Sequence, residues 1–356
     1  MSDRPAAPQW SRRELTRALL AGLLLPQGCG GTSKPTLSLY NWGDYIARSV
    51  LDAFVAREVA AGRALEIVED VFLSEAEMVA KLKTLAAYDV VFPIDYLLDE
   101  LVRNGSLRRI DPASLANVKH LGKHFAPWHN DEGTVYAIPY LWGTTGIGYD
   151  SEKVDKPTSW KALFDPRYAG HISVIDSKGD VMDQALLAAG LDINSRDKAK
   201  IREVVAPMLQ QQKQILRAYD SNPARALTSG DTWIAQIDSG DLLAAQASKP
   251  SLQYVIPDEG AALWTDYVAI ASASKSPELA LRFIDYLLEP EVAASNANTL
   301  SFATPNGTAL EQDLIDAADD PHIYPPPEVI AHLQRSQNWV GGNAALVDEL
   351  WQQLRG

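Results

Sequence analysis

The sequence predicts an α/β protein of two domains. Three observations carry that expectation. The chain has 356 residues, too many for one small core and enough for two ordinary domains. Hydrophobic residues make up 46% and charged residues 22%, a globular rather than a disordered balance. Strand and helix patterns alternate along the chain, which implies a mainly parallel sheet flanked by helices.

The elements follow in order. Residues 36–41 (Thr-Leu-Ser-Leu-Tyr-Asn) alternate as a strand does. Residues 48–61 carry Val50, Leu51, Phe54, Val55 and Val59 as a helical stripe. A strand is expected over 65–71, then a helix over 75–86 with Ser74 as its N-cap. Residues 88–92 form a short apolar strand ended by Pro93, and 96–103 return to helix. A second series begins near 146–149, with a strand at 171–175, a helix at 181–189 and a long helix over 197–219. Strands at 252–256 and 263–271 come next. Helices are expected at 277–288, 290–298, 327–335 and 344–354, the first two opened by Pro277 and Pro290 at the first helical position.

The first 35 residues read as an export signal and linker. Ser11-Arg12-Arg13 precedes a short apolar run over 18–25, well under the ~20 residues of a spanning helix. The paired arginines match a twin-arginine address. Cys29 follows the run and resembles a lipoprotein cleavage site, although Pro26 and Gln27 are unusual there. Either Cys29 is lipidated and anchors a periplasmic protein, or it is removed and the mature chain is soluble and free of cysteine.

Several function classes are disfavoured. A net charge of −14 argues against nucleic acid, because phosphate binding needs a basic face. The single cysteine rules out a disulfide framework and multi-cysteine zinc sites. His120 and His124 lie four apart with His129 nearby, but no glutamate stands between them to make a hydrolytic motif, so no metal is assigned. No nucleophile elbow, P-loop or dinucleotide fingerprint occurs, so no cofactor is expected. A secreted hydrolase using two carboxylates stays open as the enzyme alternative.

Aromatic–acid clusters stand out instead. Trp42, Asp44 and Tyr45 lie just beyond the first strand, and Asp95-Tyr96 follows the strand that ends at Pro93. Ligands of open α/β sheets sit beyond strand carboxyl ends. Trp264 and Asp266 share parity on a strand and would face one way. Such pairs suit a small cation: a desolvated cation–π contact contributes ~2 kcal/mol and a charge-assisted hydrogen bond ~1.5–3 kcal/mol.

On these residues the chain resembles the periplasmic spermidine/putrescine-binding proteins of ABC importers, along nearly all of the mature sequence. The segments that carry the resemblance are Tyr40–Ile46, Ala80–Thr84, Tyr88–Pro93, Ile138–Gly148, Ser159-Trp160, Trp264–Ile270 and Ala303–Asn306. The resemblance implies a two-lobed periplasmic-binding-protein fold of type II with a crossed-over hinge. One lobe would be 36–143 plus 265–310 and the other 144–264 plus 311–356. It implies no enzymatic activity, capture of a polyamine or related amine between closing lobes, and delivery to a membrane permease by a monomer. A ligand-sensing subunit of the same fold is the remaining alternative.

By the resemblance, Trp42, Tyr45, Tyr96, Trp264 and Asp266 match polyamine-contacting positions, and Asp180 stands where a glutamate binds an amine. Ser177 replaces an aspartate, Ile237 a tryptophan, Val340 a glutamine and Ile94 a serine, with Asp95 as a substitute beside it. The retained residues imply an amine. The replaced ones leave spermidine, putrescine, another diamine or an opine-like solute open.

Overall fold

A computed structural model describes residues 34–84, 87–337 and 342–356. The export signal, Cys29 and Val340 lie outside the described residues. Among the described residues no helix is long and apolar enough to cross a membrane.

The chain 36–356 is organised around a ten-stranded sheet. Strand β1 (Thr36–Trp42) pairs in parallel with β2 (Glu66–Phe72) and β3 (Val90–Val91), as the βαβ alternation requires. The middle departs from the expected parallel sheet. β4 (Trp128–His129) leads into the sixteen-residue β5 (Val135–Asp150), which runs antiparallel to β10 (Ala262–Ile270). β10 in turn is antiparallel to β3. Beyond β5 the remaining strands are β6 (Ile172–Ile175), β7 (Leu216–Asp220), β8 (Ile234–Asp238) and β9 (Leu252–Val255). The order is β2-β1-β3-β10-β5-β8-β6-β7, so β5 and β10 tie a first parallel set to a second.

Two main cores lie on either side of those strands. The first packs Leu37, Leu39, Phe54, Phe92, Ile138 and Phe283. The second packs Val174, Val181, Leu186, Ile234, Val347 and Leu350. Helix Ala344–Arg355 buries Leu346, Val347, Leu350 and Leu354 on one face, and each such burial contributes about 1.5–3 kcal/mol. The expected grouping of all of 311–356 with the second lobe differs from the packing: Ile315 is buried in the first core, with Leu314, Ala318 and Tyr324 against it.

Other departures have local causes. The long helix expected over 197–219 is a short α turn at Lys198–Lys200, a π turn at Ile201–Val205 and an α-helix over Ala206–Ile215. Pro207 lacks the N–H that would continue the ladder through that turn. Residues 216–220 leave the helix to pair with β6. The helix expected over 327–335 stops at Ile330. Gln334 instead binds β10, donating its N–H to Ala261 O and accepting from Leu263 N. His120 and His124 share no helix, because the chain turns extended at Leu121; His120 bonds Thr308 and His129 bonds Asn130.

Candidate functional site

The site grows from strand β10. Trp264 and Asp266 point to one side of the strand, as their parity predicts, and both lie near Asp238 at the end of β8. Trp264 Nε1 donates to Asp238 Oδ1 at 3.1 Å, and Thr145 Oγ1 donates to the same oxygen at 2.6 Å. The indole lies over Gly143, where an added Cβ would come within 2.6 Å of the ring. Glycine there makes room for the tryptophan.

The register between β5 and β10 shifts beside Asp266, which pairs with Leu141 while Tyr267 pairs with Pro139. The extra residue is Tyr140. A proline in a long strand fits such a bulge, since it can give no ladder hydrogen bond. Tyr140 is buried and its hydroxyl donates to Tyr45 O at 2.8 Å, while Asn296 Nδ2 donates to that hydroxyl. The bulge therefore braces the Tyr45 backbone. Phe302 stands edge-on to both Tyr45 and Trp264, with ring centroids 5.5 Å apart in each case, and joins them into an aromatic wall.

The second lobe adds acids. Helix Lys178–Ala188 is capped by Ser177, whose Oγ accepts from Asp180 N at 3.4 Å. Asp180 sits in the first turn of this helix, and Asp183 one turn on is buried with its Oδ2 accepting from Ser336. Across the cleft, Tyr96 donates to Glu75 Oε1 at 2.9 Å. A Cβ built on Gly179 would stand 4.0 Å from the Tyr96 hydroxyl, so the lobes meet here.

The electrostatics of this cleft are one-sided. Burial pushes Asp180 up to about 7, and the charges of Asp238 and Glu75 add to the effect. Burial likewise pushes Asp238 to about 7, with Asp241 adding repulsion. Asp266 is raised well above the usual carboxylate range by burial, then by Asp95, Asp238 and Glu75, while the nearby Tyr45 hydroxyl acts the other way. Asp183 is raised by burial and by Asp180 and Asp192. Asp266 Oδ1, Asp183 Oδ1 and the Tyr45 hydroxyl are buried with no hydrogen-bond partner among the described residues. Buried acceptors and like charges without a partner are costly, and a cation entering the cleft would relieve both costs.

The structure brings some of the expected residues together and not others. Tyr45, Tyr96, Asp180, Trp264 and Asp266 converge on the cleft. Trp42 closes β1 half-buried, with its ring edge-on to Phe72 and its indole N–H buried without a partner among the described residues. Asp44 is exposed in a left-handed turn conformation that aspartate tolerates. It does not cap the helix that follows, whose N-cap is Ala47 with no side-chain bond. Asp95 is taken by Arg335, whose Nη1 donates to Asp95 Oδ2 at 3.1 Å. Ile237 is 0% exposed in the second lobe's core and faces Gly148, so the cleft residue of this strand end is its neighbour Asp238. Sequence reasoning missed Asp238, Glu75 and Phe302. An acid at a strand's carboxyl end would have marked Asp238 had β8 been recognised.

Two α/β lobes joined by crossing strands, with an aromatic and acidic cleft between them, define a ligand-trapping binding protein. The model of the family described as "Bacterial extracellular solute-binding protein" matches residues 60–325. This chain belongs to that family. It is 30% identical over 351 residues to the spermidine/putrescine-binding periplasmic protein of Salmonella typhimurium, covering 98% of this chain and 99% of the relative. It is 28% identical to the putrescine/cadaverine-binding protein of Pseudomonas aeruginosa, covering 96% and 99%. A solved spermidine/putrescine ABC transporter substrate-binding protein from Streptococcus pneumoniae superposes with a TM-score of 0.76 at 27% identity, covering 90% of this chain and 98% of that one.

Proposed function

We propose that the chain is the capture component of an ABC importer: it takes up a polyamine or related amine-bearing cation between two closing lobes and hands it to a membrane permease. The observation that carries this reading is the buried Asp266, whose Oδ1 has no hydrogen-bond partner among the described residues, near Asp238, which in turn lies near Asp180, with Tyr45, Trp264 and Phe302 as the aromatic wall. An ammonium group resting there gains a carboxylate and an aromatic face at once. A few such contacts suffice for micromolar binding, about −8 kcal/mol. The names of the relatives, which bind spermidine, putrescine or cadaverine, support the same class of ligand.

Within this reading Trp42, Tyr45, Tyr96, Asp180, Trp264 and Asp266 contact the ligand, and Asp44 and Asp95 do not. The lobes divide within β5 and β10, the segment from 311 to about 325 staying with the first lobe. The protein works outside the cytoplasm, as a monomer, and releases its ligand unchanged. Cys29 is its lipid anchor; equal recovery of an unlipidated protein from the soluble fraction would remove that element.

Calorimetric titration with putrescine, cadaverine, spermidine, amino acids, opines and betaines tests the ligand class. The expected result is saturable binding of an amine and a stability gain of ~2.7 kcal/mol at a hundredfold excess over Kd. If no amine binds, the cationic-ligand reading is wrong. If an amine is consumed, mass spectrometry of the recovered ligand identifies a reaction and overturns the capture role.

A further inference from the structure

Tyr96 stands where the two lobes meet, and acids gather around it from both sides. Its hydroxyl gives its one proton to Glu75 Oε1 at 2.9 Å, so the phenol oxygen has only lone pairs left to offer. Glu75 opens helix Glu75–Lys83 of the first lobe. From the second lobe, a Cβ on Gly179 would stand 4.0 Å from the same hydroxyl, at the start of the helix that carries Asp180 and Asp183. The charges of Glu75, Asp180 and Asp183 all bear on Tyr96. The charge of Glu75 is also felt at Asp180 and at Asp266, so this carboxylate is near both.

The charges that bear most on Asp180 are themselves negative, those of Asp238 and Glu75. Lys178, two residues away in the chain, pairs with Asp348 instead. Two buried oxygens beside Asp180 are left over as well. Asp183 accepts from Ser336 through Oδ2, but its Oδ1 has no partner among the described residues. Gln236 donates Nε2 to Asp180 O at 2.8 Å, while its Oε1 has no partner among them either. Buried acceptors ordinarily meet a donor, and like charges facing each other across a lobe boundary oppose closure unless positive charge comes between them.

We propose that Glu75 and Asp180, one from each lobe, together hold a second ammonium beside the Tyr96 oxygen, which makes the ligand an α,ω-diamine with one end on Asp266 and the other across the lobe boundary. The proposal rests on the amine-capture reading and deepens it by adding Glu75 to the site. The far ammonium is then the tie between the lobes. It gains both carboxylates only when the cleft is shut, so a diamine favours the closed form more than a monoamine does.

The experiment compares Kd for putrescine and for n-butylamine, which has the same carbon chain and one ammonium. Calorimetry is run on the unaltered protein and on Glu75→Gln, Asp180→Asn and Glu66→Gln, with thermal melts to confirm folding. Glu75→Gln keeps an acceptor for Tyr96 and removes only the charge. Glu66 is exposed at the other end of β2 and serves as the charge control. The unaltered protein is expected to bind putrescine at least tenfold more tightly than butylamine. Glu75→Gln and Asp180→Asn should each weaken putrescine by about tenfold and butylamine by less than threefold, and Glu66→Gln should leave both within twofold. Equal binding of the two amines by the unaltered protein overturns the proposal while leaving amine capture intact. So does a putrescine affinity unmoved by Glu75→Gln, an equal loss of both amines in that variant, or the same loss in Glu66→Gln. Binding of neither amine by the unaltered protein removes the amine-capture reading and this inference with it.

Discussion

Where the first lobe borders the cleft it presents the rings of Tyr45, Tyr96 and Phe302, with Trp264 of the hinge strand beside them. Where the second lobe borders it, Asp180, Asp183 and Asp238 line up at a helix start and a strand end. The acids of the two sides also differ in their partners. On the first lobe Glu75 accepts from Tyr96 and Asp95 from Arg335, while Asp266, with the Tyr45 hydroxyl near it, keeps a buried Oδ1 that has no hydrogen-bond partner among the described residues. On the second lobe Asp238 accepts from groups of the hinge strands, Trp264 and Thr145. The contrast implies a division of labour. On the proposed reading the first lobe would provide a shaped aromatic seat with Asp266 as anchor, and the second a field of charge that closes over it.

That contrast can be broken at its strongest point first. Asp266→Asn is expected to weaken amine binding by tenfold or more, at least about 1.4 kcal/mol, by calorimetry. The ligand-free variant should melt no lower than the parent, because a buried carboxyl that resists ionisation has been replaced by a neutral amide of the same size. Asp238→Asn should cost less, about three- to fivefold, if the second lobe acts as a diffuse field.

Closure comes next. A Cβ at Gly240 would lie 2.4 Å from the Phe302 ring, and these residues belong to opposite lobes. Gly240→Ala should lower affinity by about tenfold while each lobe stays folded, since overpacking of this size costs about 1–3 kcal/mol. Unchanged affinity would show that the lobes do not need this contact.

A pH series separates field from anchor. Asp180 and Asp238 have folded pKa values of about 7 against an ordinary 3.8. Raised values mean that their contribution to stability is fully present below about pH 4 and is lost as pH rises through about 7. The ligand-free melting temperature should therefore fall between pH 5 and pH 8, within the usual window set by such groups. The rise caused by a saturating amine should grow over the same window. A ligand-induced shift that is flat with pH would mean these acids do not meet the ligand. Asp44→Ala, the smallest expected effect, should leave affinity within twofold.

The outer parts of the fold were legible in the sequence because their causes are local. Alternation over 36–41, the stripe of the first helix, the Ser74 cap and the N1 prolines all act within a few residues, and each element is found. Trp264 and Asp266 were legible as a pair for the same reason, since strand parity needs only their spacing. The middle of the sheet was not: Pro139, Gly143, Gly146 and Gly148 obscure the pattern of β5, and only pairing with β10, β8 and β9 holds it extended.

The chain by itself determined that an acidic two-domain α/β protein carries aromatic–acid pairs at strand ends, because composition and short-range periodicity encode those features. Tertiary structure alone decided which acids stay unpaired. Asp95 and Arg335 are 240 residues apart and meet only when the last turn of residues 331–335 is drawn onto β10. Asp238 meets Trp264 only when the two lobes share their hinge strands. Burial and the placement of like charges are set by distance in space, and no local rule of sequence contains them.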